Sequence, residues 1–295
     1  MSFVIASTLE EALQALAGGA RPVAGGTDLV VGARHGKAPL PDDLVAIDRI
    51  ESLREVRRTV DGLTIGALVD HHTIEHHPII TSLFAALADG SALVGSPATR
   101  NVGTIGGNVM NASPAMDTGS PLLVLGAEVE LQSLRGNRRV PIDQLWTAPG
   151  RTCAQPDELC VAVHLAAPAA RSASAYIRLE YRRAMEIAIV GAAASVTLDD
   201  DGSVASLRVA LTAVAPTIIE VVGLGGGPVE HAASAAREAA SAQARPISDL
   251  RASSDYRRHT VGVMAARAVL AAARRAGGDA IPSPLNRAIG IGASS

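Results

Sequence analysis

Residues 103–117 read Gly-Thr-Ile-Gly-Gly-Asn-Val-Met-Asn-Ala-Ser-Pro-Ala-Met-Asp, and this stretch decides how the chain is interpreted. Its paired glycines, Gly106 and Gly107, allow a sharp turn and let backbone N–H groups approach an anion without obstruction by side chains. Asp117 can accept hydrogen bonds from ligand hydroxyls, or it can serve as a helix cap. Taken alone, the stretch fits both a phosphate-binding loop and an ordinary turn.

A similar loop, Ala24-Gly25-Gly26-Thr27-Asp28, occurs earlier in the chain and follows a predicted strand at residues 21–24. It lacks the Gly-Lys-Ser/Thr of a P-loop and the Gly-x-Gly-x-x-Gly of a Rossmann fold, which argues against both kinds of nucleotide site. Two Gly-Gly loops that each lie next to a threonine can hold a diphosphate from two sides. The pair therefore indicates a diphosphate site more strongly than either loop does alone.

The composition excludes several classes of protein. The chain has 295 residues, enough for two domains, and a net charge of −3, which does not suggest a nucleic-acid partner. No apolar run reaches the roughly 18 residues of a membrane helix, and the N-terminus does not resemble a signal peptide. The two cysteines, Cys153 and Cys160, are too few for an iron–sulfur cluster or a tetrathiolate zinc site. We expect a cytoplasmic protein without a membrane span.

Hydrophobic periodicity and turn signals predict a mixed α+β chain. Strands are predicted at residues 44–47, 63–67, 128–131 and 159–165, and helices at 79–89, 230–243 and 256–276. A hairpin is predicted from 188–198 and 204–213, and residues 168–173 are the best candidate linker. Ser7 and Glu10 have the spacing of a capping box, and residues 94–108 are expected to form a loop.

Four segments together resemble the FAD subunits of the molybdenum hydroxylases, a family that includes the medium subunit of carbon monoxide dehydrogenase and the flavin domain of xanthine dehydrogenase. Two of them are the glycine loops, the second with its Ser113-Pro114 and Asp117 continuation. The others are residues 181–188, Tyr-Arg-Arg-Ala-Met-Glu-Ile-Ala, and residues 255–259, Asp-Tyr-Arg-Arg-His. The resemblance spans nearly the whole chain in order, and the second glycine block is its most specific part.

The resemblance implies an α+β fold with a two-part FAD-binding domain of the PCMH type at residues 1–170. A small α+β C-terminal domain, similar to that of the CO dehydrogenase flavoprotein, is implied at 171–280, followed by a loosely ordered tail at 281–295. It also implies FAD contacts on matching positions. Around the pyrophosphate these are Arg21, Pro22, Val23, Ala24, Gly25, Gly26, Thr27 and Asp28 from the first loop and Thr104, Ile105, Gly106, Gly107 and Asn108 from the second.

Further positions follow from the same resemblance. Asp117 is expected on the adenosine or ribityl side, a main-chain group near Leu159 beside the flavin or adenine, and Arg178 close to the FAD. Val94 matches a position that carries an aromatic ring beside the isoalloxazine in some relatives. Val94 cannot stack in that way, and Ile187 is also aliphatic where some relatives have tyrosine, so we expect aliphatic groups to cover one flavin face.

The function implied by the resemblance is that of an electron-transfer subunit without catalytic side chains of its own. A large partner would carry molybdopterin and choose the substrate, and a small partner would carry [2Fe-2S] clusters. The FAD would pass electrons to NAD, oxygen, a quinone or another acceptor, in a dimer of heterotrimers. The alternatives are a stand-alone FAD oxidoreductase of the same fold and a flavin-free scaffold protein.

Other residues suggest no further chemistry at this level. The histidines at positions 71, 72, 76 and 77 have spacings compatible with a metal, but a surface loop leading into a helix is the favoured interpretation, and no metal site is assigned. The Asp-Asp-Asp-Gly run at 199–202 is expected to be a hairpin turn, because it lacks the alternating ligands of a calcium loop. Trp146 is expected in the core with its indole N–H bonded.

Overall fold

The computed structural model describes residues 2–36, 38–182 and 184–288, and the predicted α+β class is confirmed. Its strands are β1 (Ser2–Ile5), β2 (Arg21–Val23), β3 (Asp43–Ala46), β4 (Val56–Arg58), β5 (Gly62–Gly66), β6 (Glu128–Ser133), β7 (Gly136–Pro141), β8 (Trp146–Ala148), β9 (Arg151–Thr152), β10 (Leu159–Ala166), β11 (Ser172–Leu179), β12 (Val190–Leu198), β13 (Val204–Thr212) and β14 (Ile219–Glu220). Its helices are α1 (Leu9–Ala17), α2 (Leu29–Arg34), α3 (His71–His76), α4 (Pro78–Leu83), α5 (Ala85–Ser91), α6 (Pro97–Arg100), α7 (Ile105–Asn111), α8 (Gly119–Val124), α9 (Ile142–Leu145), α10 (Val229–Gln243), α11 (Ser254–Ala276) and α12 (Leu285–Ala288).

The described N-terminal part of the chain contains two main sheets and the short two-stranded sheet of β8 and β9. The smaller main sheet is parallel, with the strand order β1-β3-β2, and the larger is antiparallel, with the order β4-β5-β10-β6-β7. Strands β3, β5, β6 and β10 confirm four predictions from the sequence. Along β6 every second residue is buried, as expected for a strand with one face on the core. Trp146 lies in that core, and its indole N–H donates to the carbonyl of Val109 at 3.0 Å, as predicted.

Helix α1 shares a buried apolar cluster with β3 of the small sheet. Its capping box lies between Thr8 and Glu11, so the predicted Ser7 and Glu10 pair is wrong by one residue. The reason is that Thr8 is the residue with extended backbone at the N-cap, where its hydroxyl accepts the N–H of Glu11 at 3.2 Å. The carboxylate of Glu11 in turn accepts the N–H of Thr8.

Residues 94–108 contain the short helix α6 and the first four residues of α7, so the expectation of a loop is wrong. Each helix begins at a capping hydroxyl, because Ser96 and Thr104 both accept the backbone N–H three residues later at 3.2 Å. Helix α7 keeps its glycines for close packing, since a Cβ on Gly106 would lie 2.6 Å from the Cβ of Ala67. Tertiary packing thus overrides the loop-like composition.

The helix predicted at residues 79–89 is interrupted. Phe84 has φ −130° and separates α4 from α5, while its side chain is buried in the core. Burying this ring, one of only two phenylalanines in the chain, fixes where the helix breaks. The segment therefore packs as two short helices instead of one.

The C-terminal part is an antiparallel sheet, β11-β12-β13-β14, covered by α10 and α11. The predicted hairpin is confirmed as β12 and β13, and the two predicted Ala-rich helices are confirmed. Strand β11 begins at Ser172, inside the predicted linker at 168–173. A Cβ on Gly262 would lie 2.6 Å from the carbonyl oxygen of Arg237, so the small side chains of α10 and α11 allow the two helices to pack closely.

A buried ionic cluster joins the two parts of the chain. The Asp89 carboxylate on α5 accepts two hydrogen bonds from Arg275 on α11, at 2.7 and 3.1 Å. It also accepts the backbone N–H groups of Tyr176 at 3.1 Å and Leu285 at 2.9 Å. Because four donors saturate one buried carboxylate, the cluster fixes β11, α11 and the segment after α11 against the N-terminal part.

Residues after position 280 pack against the rest of the protein. Leu285 is fully buried, and the Asn286 side chain exchanges two hydrogen bonds with the backbone of Arg178, at 3.0 and 2.9 Å. The rest of the predicted loose tail, residues 289–295, lies outside the described residues, and the predicted domain limits at 170 and 280 stay predictions. Of the helices described, none is long and apolar enough to cross a membrane.

Candidate functional site

The two glycine loops predicted from the sequence lie side by side. A Cβ built on Gly25 would lie 1.9 Å from the carbonyl oxygen of Val102, directly before the second loop. A Cβ on Gly103 would lie 3.6 Å from the hydroxyl of Thr27. Only a glycine at position 25 lets the two backbones approach this closely. The structure therefore brings together segments that are about eighty residues apart in the sequence.

The first glycine loop contains backbone N–H groups that are available to a ligand. Gly25, Gly26 and Thr27 are half-buried, and their N–H groups have no acceptor within the described part of the chain. Gly26 has φ +67°, a conformation that favours glycine and that turns the chain out of β2 into α2. Successive unpaired amides in such a turn form an anion-binding concavity. This arrangement is the one expected of a phosphate cradle.

The second loop uses its amides internally. The N–H groups of Ile105 and Gly106 donate to the carbonyls of Val69 and Ala67, both at 2.9 Å. Those of Gly107 and Asn108 donate to the hydroxyl and carbonyl oxygens of Thr104. Gly107 is nevertheless exposed, and a Cβ there would meet only the Thr104 hydroxyl, at 3.1 Å. The second loop would contact a ligand through the exposed backbone of Gly107. The first loop would supply the hydrogen bonds.

A cavity of about 230 Å³ opens where the two loops meet. It is lined by both loops and by three charged residues, Asp48, Arg54 and Asp70. Arg54 donates to the carbonyl of Asp48 at 2.5 Å, and the Asp70 carboxylate caps α3 by accepting the N–H of Thr73 at 2.7 Å. The volume fits part of a dinucleotide.

Asp117 and Arg178, both predicted near the ligand, form a buried ion pair at 2.6 Å. The other carboxylate oxygen of Asp117 accepts the hydroxyl of Tyr176 at 2.8 Å, and Arg178 Nε donates to Glu180 at 2.7 Å. Burial raises the pKa of Asp117 to about 6, although the Arg178 guanidinium opposes this shift. The remaining nitrogen, Arg178 Nη2, is buried and has no partner among the described residues. A buried guanidinium N–H group without an acceptor can donate a hydrogen bond to an additional anionic or polar ligand atom.

The ion pair is connected to the second loop. Asn108 accepts the hydroxyl of Thr118 at 2.6 Å, and Thr118 directly follows Asp117. At the other end, the backbone of Arg178 is held by Asn286. A continuous chain of contacts therefore runs from the predicted cradle into the C-terminal part of the protein.

The other predicted ligand positions have different environments. Leu159 begins β10 with its side chain buried in the core beside the small sheet, so only its main chain remains for a ligand. Val94 is half-buried, and its carbonyl accepts from Arg100 at 3.3 Å. The next carbonyl, that of Gly95, accepts the N–H of Met185 at 3.0 Å, two residues before Ile187. Of the first-loop residues, Arg21 and Asp28 are exposed.

The environment of His71 was not predicted from the sequence. Residues 71–76 form helix α3, so the favoured surface loop is wrong for this segment; the physical reason is the Asp70 cap together with fully buried Ile74. His71 is 1% exposed, and its Nδ1 lies 3.5 Å from the hydroxyl of Ser91. Burial lowers the pKa of His71 to about 4, so it is neutral at physiological pH. Neither His71 nor Ser91 belongs to a recognisable motif, so no signal in the sequence indicated the contact between them.

Comparison with protein families gives two consecutive matches. Residues 1–168 match the FAD binding domain in molybdopterin dehydrogenase, and residues 175–272 match the CO dehydrogenase flavoprotein C-terminal domain. The first match covers more than half of the chain. The two together follow the order expected from the sequence.

Individual relatives agree with these matches. The xanthine dehydrogenase FAD-binding subunit of Escherichia coli O157:H7 is 32% identical over 294 residues, covering 94% of this chain and 97% of the relative. The carbon monoxide dehydrogenase medium chain of Hydrogenophaga pseudoflava is 32% identical over 237 residues, covering 79% and 82%. The reconstituted CO dehydrogenase from Oligotropha carboxidovorans contains a chain that superposes with a TM-score of 0.88 at 28% identity, covering 93% of this chain and 98% of that one. The resemblance read from the glycine loops is confirmed, and the chain belongs to the family of FAD-binding oxidoreductase subunits of the molybdopterin dehydrogenases.

Proposed function

We propose that this chain is the electron-transfer subunit of a heterotrimeric molybdenum hydroxylase. Bound FAD would supply redox chemistry, receiving electrons from [2Fe-2S] clusters of a partner and delivering them to an external acceptor. The observation that carries the proposal is the row of unpaired amides at Gly25, Gly26 and Thr27, held against the second glycine loop. A diphosphate is the group of FAD that such a row of donors fits.

The chain's own residues bind and orient the cofactor in this proposal. The first loop donates its amides to the pyrophosphate, and Gly107 leaves room for the phosphate on the other side. Asp117 and Glu180 fix the guanidinium of Arg178, and its unpaired Nη2 would donate to the ligand. The segment ending at Ile187 is fixed beside Val94, which supports an aliphatic cover for one face of the flavin.

Partner subunits would carry the other redox centres in this proposal. The two cysteines of this chain are too few for the four thiolates of an all-cysteine [2Fe-2S] cluster. The clusters would therefore belong to a small subunit and molybdopterin to a large one. Relatives named as medium chains of carbon monoxide dehydrogenase and glyceraldehyde dehydrogenase support this division. A cytoplasmic dimer of heterotrimers is the assembly proposed.

Affinity purification of the tagged chain from its native cells tests the proposal. We expect one large and one small subunit to co-purify, with molybdenum, iron and flavin in the same complex. If the chain instead purified alone and oxidised an organic substrate by itself, it would be a stand-alone oxidoreductase. A complex without flavin, even after FAD is added, would identify a scaffold subunit.

A further inference from the structure

Helix α3 presents two imidazoles on one exposed face, and neither belongs to the glycine loops. His72 and His76 are four residues apart, both are exposed, and their ring centroids are 4.4 Å apart with an interplanar angle of 49°. Residues at this spacing lie next to each other on a helix surface. The pair is therefore positioned to share one ligand.

A backbone contact fixes the tautomer of His76. Its Nδ1 lies 2.9 Å from the carbonyl oxygen of His72, and because a carbonyl can only accept, the proton is on Nδ1. The lone pair of the ring is then on Nε2. A hydrogen bond from one ring nitrogen to a carbonyl, with the other nitrogen free, is the usual arrangement of a metal-binding histidine.

The carboxylate of Glu75 supplies a third potential metal ligand beside the two imidazole rings. One ligand atom each from His72, Glu75 and His76 lie within 4.8 Å of one another. Glu75 Oε2 forms an ion pair with Arg100 Nε at 2.8 Å, and both side chains are nearly buried. No described residue donates a hydrogen bond to Oε1, so the arginine orients the carboxylate and leaves one oxygen for a ligand.

The helix that carries these groups is anchored at both ends. The Asp70 carboxylate caps its first turn, and Ile74 on the opposite face is fully buried. His77 and Pro78 end it, and α4 follows directly. Such anchoring reduces the entropy lost when the side chains converge on one ion.

The neighbouring histidines do not belong to the set. His71 is buried and faces Ser91, while the Nδ1 of His77 is buried without a partner among the described residues. The donor set is therefore two imidazole nitrogens and one carboxylate oxygen.

We propose that His72, His76 and Glu75 bind one divalent zinc-class ion, with a fourth position left for water. Imidazole favours zinc and its neighbours in the periodic table over magnesium and calcium, which prefer oxygen ligands throughout. Two imidazoles and one carboxylate are a donor set that zinc accepts in proteins. None of the three ligands is a glycine-loop residue, and the site does not rest on the proposed electron-transfer function.

Zinc titration of the metal-free full-length chain, followed by isothermal calorimetry, tests the site. We expect one zinc ion per chain and at least about tenfold weaker binding in His72→Ala, His76→Ala and Glu75→Gln. His259→Ala is the matched control, because His259 is an exposed helical histidine without a second histidine four residues away. This control should bind zinc like the wild type.

Cobalt(II) absorption gives a second readout, since its ligand-field bands report direct coordination and should disappear in the same three variants. Circular dichroism and flavin content, measured on every variant, separate lost coordination from lost folding. Absence of zinc binding in the wild-type chain, or equal losses in His259→Ala, would overturn the proposal. Unchanged affinity in Glu75→Gln would overturn the three-ligand set.

Discussion

Replacing Gly25 by alanine should weaken FAD binding by separating the two glycine loops. The new Cβ would lie 1.9 Å from the carbonyl oxygen of Val102 and 2.6 Å from its carbon, whereas real Cβ atoms essentially never come within 3.0 Å of such atoms. The loops must therefore move apart by about 1.1 Å before even this limit is reached. Both contacting atoms are backbone, so no side chain can rotate away to absorb the change.

The expected effect of Gly25→Ala has two parts, a loss of folding stability and a loss of FAD affinity. Overpacking at a close contact costs about 1–3 kcal/mol of folding stability. A hydrogen bond to a charged group contributes about 1.5–3 kcal/mol, and a shift of the first loop by about an ångström removes at least one from the pyrophosphate. FAD affinity should then fall by about tenfold to a hundredfold.

Fluorescence titration of flavin-free protein with FAD measures this loss. Gly32→Ala is the matched control, because Gly32 lies on α2 just after the same loop and a Cβ there would have no atom within 4 Å. It should keep wild-type affinity. If Gly25→Ala kept both the wild-type FAD affinity and the wild-type free energy of unfolding, the close contact between the loops would be refuted as the basis of binding.

Three other variants test neighbouring parts of the account. Gly107→Val should abolish FAD binding with little change in secondary structure, because the Cβ of the new valine projects from the exposed surface of the second loop. Normal flavin content in this variant would mean that the phosphate binds elsewhere. Asp117→Ala should lower the free energy of unfolding by about 3 kcal/mol in a urea titration, since it leaves the buried hydroxyl of Tyr176 and the buried Nη1 of Arg178 without their acceptor. His71 has its folded-state pKa lowered to about 4, so the unfolded chain binds the extra proton and stability falls as the pH drops below 6.5. His71 alone should remove about 2 kcal/mol between pH 7 and pH 5. Protonation of Asp117, whose folded-state pKa is raised to about 6, offsets part of this, because stability from a raised carboxyl pKa grows as the pH falls. His71→Asn should therefore lose less stability on acidification, and an unchanged slope would argue against a neutral buried imidazole.

Local patterns predicted much of the fold. The alternation along β6, the turn between β12 and β13, and the Ala-rich repeats of α10 and α11 depend on residues close in sequence, so one chain suffices to recognise them. The glycine loops were recognisable because their residue types are required by phosphate chemistry. Their contact at Gly25 and Val102 confirms that they are neighbours, while their role in binding FAD stays a prediction.

Long-range packing accounts for what the sequence did not indicate. Helix α7 is capped by Thr104, and its Gly106 packs against Ala67. A composition rich in Gly, Thr and Asn does not reveal either contact. The pairing of Asp117 with Arg178 joins residues 61 positions apart, and no local pattern specifies it. The same holds for Asp89, whose four donors come from three later segments of the chain.

Binding of FAD by the glycine loops is tested most directly by the flavin stoichiometry of the purified complex and of the flavin-stripped chain after FAD is added back. We expect one FAD per chain, with normal reconstitution in Gly32→Ala and impaired reconstitution in Gly25→Ala. A wild-type protein that contains no flavin and binds none from added FAD would contradict this expectation.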